Sequence, residues 1–135
     1  MITFNNYSRT VPVIGRIMIA ILFLASAVAK LMAPSPTIQF IASSGLPFAP
    51  LGFLIAVAVE LGGGILLALG IQTRAIAAVL AIFSIVTGLV FHHEIGNQMQ
   101  LTELLKNIAI AGGLLHIAAI GVSTSCMPKT APPKH

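Results

Sequence analysis

Residues 51–71 read LGFLIAVAVELGGGILLALGI, an apolar run with one carboxylate, Glu60, near its middle. Its length suits a helix that crosses a bilayer. A charged side chain at the bilayer centre costs ~2.5–3.5 kcal/mol on insertion scales. Only three acidic residues occur in the 135-residue chain, and 57% of it is hydrophobic, so Glu60 is not incidental composition. A partner cation, a proton or a water-filled pocket must offset its cost.

Three further apolar runs extend outward from this one, at about residues 11–33, 75–91 and 104–122. Each approaches the ~17–25 residues that a spanning helix needs. None alternates polar and apolar positions, and lipid on all sides leaves helices as the workable backbone. The chain is 7% charged, lacks Trp and has a mean hydropathy of +1.02. A soluble domain carries roughly 25% charged residues. The expected fold is all-α: a membrane-embedded four-helix bundle over residues 1–122, followed by a disordered cytoplasmic tail at 123–135. The net charge of +4 is scattered, without the basic cluster that nucleic-acid binding requires.

The connection between the first two spans is itself structured. Ser35 reads as an N-cap, Pro36 as the first helical residue and Gly45 as the stop. The short helix between them carries Ile38, Phe40 and Ile41, and suits the membrane interface either as a passive connector or as a lid. Ala27-Val28-Ala29 has the form of a signal-peptidase site, but apolar residues resume at Leu31-Met32, and an uncleaved first helix is expected.

Lysine and arginine set the orientation. With four crossings, Arg9, Arg16, Arg74, Lys129 and Lys134 share a side, against Lys30 and Lys106 on the other. Both termini are therefore expected in the cytoplasm, the chain being a multi-pass protein of the cell membrane, as in the bacterial cytoplasmic membrane. The lone Cys126 reads as an ordinary reduced thiol, and no second cysteine allows dithiol exchange.

Helical spacing places Phe53, Ala56, Val57, Glu60, Gly63, Gly64 and Leu67 on one stripe. Small residues beside Glu60 permit close helix approach, so the carboxylate points into the bundle. Arg16, Phe23 and Lys30 share a face of the first helix, with Arg16 and Lys30 ~21 Å apart along its axis. Depth removes Arg16 as a partner for Glu60 and leaves Lys30 and Lys106, whose stems can bend inward. The functional reading is an outward-facing polar pocket, with Glu60 at the floor handling a proton. Lys30 and Lys106 attract a ligand at the mouth, beside Asn107 and His92. The competing reading is an internal ion pair that fixes helix packing. His116, alone at mid-membrane, reads as a hydrogen-bonded core histidine, and no spacing suggests a metal site.

Gly15-Arg16 through Lys30-Leu31, Gly45-Leu46-Pro47, Val59-Glu60-Leu61-Gly62-Gly63, Gly70 to Thr73-Arg74, Phe91-His92, and Lys106-Asn107 followed by Gly112-Gly113 occur in this order. Together they resemble the DoxX family of small four-helix membrane proteins. The chain departs from the family at Ser26-Ala27, where glycine is frequent, and at His116, where an aliphatic residue is usual. Some relatives resemble membrane subunits of thiosulfate:quinone oxidoreductase, and others are linked to complexes handling thiol or oxidative stress. Distant eukaryotic relatives resemble membrane-protein assembly factors.

The resemblance implies a redox-associated subunit, binding a quinone or a small anionic compound. Its partners would be the lipid bilayer, a soluble oxidoreductase or another membrane subunit, and further copies of itself. The alternative it implies is a non-catalytic assembly or scaffold subunit. No intrinsic cofactor is expected.

Overall fold

The structure, a computed structural model, describes residues 4–121. Five helices follow in order: α1 (Phe4–Met32), α2 (Pro34–Ser43), α3 (Ala49–Leu69), α4 (Thr73–Phe91) and α5 (Gln98–Ile120). All but α2 are long and apolar enough to cross a membrane. The 21 residues of α3 extend ~31 Å, about the thickness of the hydrocarbon core. Large apolar side chains such as Ile21, Leu54, Ile82 and Leu115 point outward, as lipid contact requires. The 123–135 tail, Val122 and Cys126 lie outside the described residues.

Local chemistry sets the helix ends. Pro34, not Pro36, opens α2, and Ser35 lies inside the helix without capping it. Proline's fixed φ and missing N–H suit a first-turn position, and Pro34 is the first of the two to meet it. Gly45 does follow the helix in the left-handed region, at φ +83°. The fourth span begins earlier than its apolar run, because the Asn97 side chain accepts from the N–H groups of Met99 and Gln100. α1 is continuous through Ala27-Val28-Ala29.

Packing is uneven around the bundle. α1 lies along α3, and α4 along α5, with a lesser seam between α3 and α4. Glycine governs the first of these approaches. A Cβ built on Gly64 would stand 2.9 Å from the Leu24 side chain and 3.4 Å from the Ala20 carbonyl oxygen. The core between the four long helices includes Ala20, Phe23, Leu67, Leu80, Ala81, Ala111 and Leu114. By contrast, α1 and α5 hardly meet; one of their few contacts sets Ile19 against Gly113. An open seam results on that side.

Two ends of the bundle can now be distinguished. At one, here the terminal end, lie the start of α1, the α3–α4 turn and the finish of α5. The opposite end carries α2, which packs through Ile41 against Ala49 and Phe53 of α3. Phe40 also stacks on Phe91, with ring centroids 5.4 Å apart.

Candidate functional site

The stripe around Glu60 faces inward. Phe53, Glu60, Gly64 and Leu67 are buried, with Glu60 only 5% exposed. Lys30 reaches it from α1: its Nζ donates to both carboxylate oxygens, at 3.0 and 2.9 Å. Ser26, one turn before Lys30, completes the group. Lys30 Nζ donates to Ser26 Oγ at 2.7 Å, and Ser26 Oγ donates to Glu60 Oε1 at 3.2 Å. Spacing of four residues puts Ser26 and Lys30 on one face, so this hydroxyl was within reach of sequence reasoning.

Lys106 takes a different partner. It pairs with Glu103 on its own helix, at 2.7 Å, and both side chains are well exposed. The three-residue spacing makes this pairing local and easy. Asn107 turns back on the same helix, donating from Nδ2 to the Glu103 carbonyl oxygen at 3.2 Å. Asn107 packs closely on Gly88 of α4, where an added Cβ would fall 3.0 Å from that of Asn107, a tight contact that asks the neighbour to shift.

A cavity of about 300 Å³ joins these groups. Glu60 and Ser26 border it on one side, Glu103, Lys106 and Asn107 on another. Ser84 and Thr87 of α4 add hydroxyl groups that the sequence reading had not singled out. His92, at the end of α4, and Lys30 stand outside its lining, as does every residue of α2. α2 thus serves as a docked connector, not as a wall of the cavity.

Both lysines already face carboxylates, so the charges around the cavity balance. Its small volume suits a ring or a compact polar molecule, at the lower end of ligand-site sizes. Among the described residues, no three His, Cys, Asp or Glu side chains converge as metal ligands.

The arginines at the terminal end behave otherwise. Arg74 donates from Nε to the Ala118 carbonyl oxygen at 3.0 Å and from a terminal nitrogen to that of Ala119 at 2.6 Å. It therefore caps α5, where orphaned carbonyls and the helix dipole favour a cation. Arg16 packs its guanidinium over Gly70, the left-handed C-cap of α3; a Cβ there would lie 3.2 Å from both terminal nitrogens. Sequence counting treated Arg74 only as a loop charge, since nothing local shows that α5 ends beside it.

His116 corrects an expectation outright. It is exposed on α5 and lines a second cleft between α1 and α5, so it is not a core histidine. The open α1–α5 seam leaves that face of α5 uncovered.

Comparison with known proteins agrees with this architecture. Residues 11–93 match the DoxX family model, a stretch that includes Lys30 and Glu60 but stops short of Lys106. The inner membrane protein YphA of Escherichia coli (strain K12) is 32% identical over 115 residues, covering 80% of this chain and 81% of that protein. The inner membrane protein YqjF of the same organism is 30% identical over 110 residues, covering 80% and 82% respectively. No solved structure matches.

Proposed function

The chain belongs to the DoxX family, and from that premise we propose that it is a redox-associated membrane subunit holding a quinone headgroup in the cavity beside Glu60. The charge balance of the cavity carries this reading. Lys30 is engaged with Glu60 and Lys106 with Glu103, so neither is an idle cation waiting for an anion. A neutral ring with carbonyl oxygens suits such walls better than a small anionic compound does. Lys106 and Asn107 have further N–H groups to offer those oxygens, while Glu60 holds or relays a proton. Electrons would pass to or from a partner protein, a soluble oxidoreductase or another membrane subunit. Further copies of the chain are compatible with this role.

Orientation belongs to the same proposal. Arg9, Arg16 and Arg74 gather at the terminal end, which favours cytoplasmic termini in a bacterial inner membrane and a cavity facing outward. Reporter fusions at either terminus check it, and an external C-terminus would overturn the assignment.

A second reading, a non-catalytic assembly or scaffold subunit, draws on one specific observation. The Lys30–Glu60 pair ties α1 to α3, a main helix seam of the bundle. Titration of the full chain in nanodiscs with a short-chain quinone separates the two. The quinone reading expects Glu60→Gln and Lys106→Gln each to weaken binding by roughly tenfold, as loss of a charged hydrogen-bond partner does. If quinone does not bind, or binds both variants as it does the parent while Glu60→Gln only lowers stability, the scaffold reading stands.

A further inference from the structure

The second cleft between α1 and α5 has a volume of about 550 Å³ and lies at the terminal end, remote from Glu60. Its lining combines Arg9, Arg16 and His116 with Ile19, Ile117 and Ile120. The charge here is one-sided. The three acidic side chains of the protein are Glu60, Glu94 and Glu103, and all belong to the middle of α3 or to the other end. No acidic side chain is therefore available to these arginines. The Nε of Arg16 is buried without a hydrogen-bond partner among the described residues. Arg74 does not share this condition, because the α5 carbonyls occupy it.

We propose that this cleft binds an anionic phospholipid of the leaflet that surrounds the terminal end. The phosphate sits against Arg16 and Arg9, with His116 offering a ring nitrogen to the headgroup. An acyl chain follows the seam along Ile19, Ile117 and Ile120. Charge complementarity selects the headgroup, since a guanidinium fork matches phosphate oxygens. Apolar walls that open sideways, where α1 stands off from α5, select a molecule that already lies in the membrane. A soluble phosphate compound would gain nothing from those walls. The site is independent of any ligand in the Glu60 cavity.

Native mass spectrometry of the full chain, released from nanodiscs of equal phosphatidylglycerol and phosphatidylcholine, tests the assignment. The expected result is preferential retention of phosphatidylglycerol by roughly thirtyfold, the order that two arginines at an anionic surface supply. Arg16→Gln combined with Arg9→Gln should abolish that preference. Lys106→Gln, which removes one charge at the opposite end, should leave it intact. Should the arginine variant fail to fold, Gly113→Leu keeps both arginines while projecting into the seam beside Ile19, and it too should expel the lipid.

Equal retention of the two lipids overturns the proposal, as does an equal loss in Lys106→Gln, which would mean diffuse attraction. Displacement of the lipid by millimolar inorganic phosphate, with phosphate then bound alone, would make the site one for a free anion. A lipid-free dimer would mean that a second copy covers the cleft. Either outcome rejects the phospholipid.

Discussion

The two cavities of this bundle are both bordered by α1 and α5, yet their charges are settled in different ways. Beside Glu60, every lysine meets a carboxylate of the same chain. At the terminal end, Arg9 and Arg16 line a cleft with no acidic side chain. Both cavities exist for the same reason, since α1 is drawn onto α3 and left apart from α5. The contrast teaches that an intramembrane charge can be neutralised from within or left for the surroundings. A site neutralised from within suits a neutral polar ligand. The other asks for an anion.

The sharpest attempt to break that contrast is Lys30→Met. It strands the buried Glu60 carboxylate, and the loss should be ~3–5 kcal/mol, read as unfolding in detergent. The double variant Lys30→Met with Glu60→Leu should recover most of it, because a matched apolar pair removes both desolvation penalties. If the single variant is as stable as the parent, internal neutralisation is not what holds this end together.

Gly64→Val tests the reason for the seam. A branched side chain there collides with Leu24 and presses on the Ala20 carbonyl, and overpacking of this kind costs ~1–3 kcal/mol. Gly62→Ala meets open space and should change stability little. Thermal unfolding of the two side by side distinguishes a specific α1–α3 contact from general glycine content.

Arg74→Gln examines the terminal end without replacing a residue that lines its cleft. Loss of the α5 cap should cost about 1 kcal/mol in unfolding while leaving phosphatidylglycerol retention unaltered. A loss of lipid preference in that variant would merge Arg74 with Arg9 and Arg16, and so blur the contrast. Smallest of all should be the stability effect of Lys106→Gln, within about 0.5 kcal/mol, because exposed ion pairs contribute little. A larger loss would mean that Lys106 supports the bundle through the cavity and not merely through Glu103.

Much of this architecture is legible in the residues themselves. The four spans, the short helix after the first and the inward stripe of Glu60 all follow from local length and periodicity. Lys30 was one of two candidate partners for Glu60, because depth along a helix is fixed by residue count. Sequence could not choose between Lys30 and Lys106, since that choice depends on which helix lies beside α3. Glu103, three residues before Lys106, was legible as a local partner by helical spacing, and that signal went unused. Depth and isolation from other histidines point His116 to the core, but neither says which side of a helix its neighbours cover. The Ser35-Pro36 pattern points to Pro36 as the start of α2, but Pro34 meets the same first-turn requirement and stands earlier.

The sequence by itself therefore determined that this is a membrane bundle with a carboxylate needing compensation, because hydropathy and helical rise are properties of single segments. The tertiary structure alone decided who compensates whom. It placed α1 against α3, so that Lys30 and Ser26 close on Glu60, and α4 against α5, so that Arg74 finds the carbonyls of a helix end. It also kept α1 away from α5, and that separation made two cavities of opposite character. Pairings between helices arise from packing geometry, and the approach of Leu24 and Ala20 of α1 to α3 at Gly64 depends on a missing Cβ there.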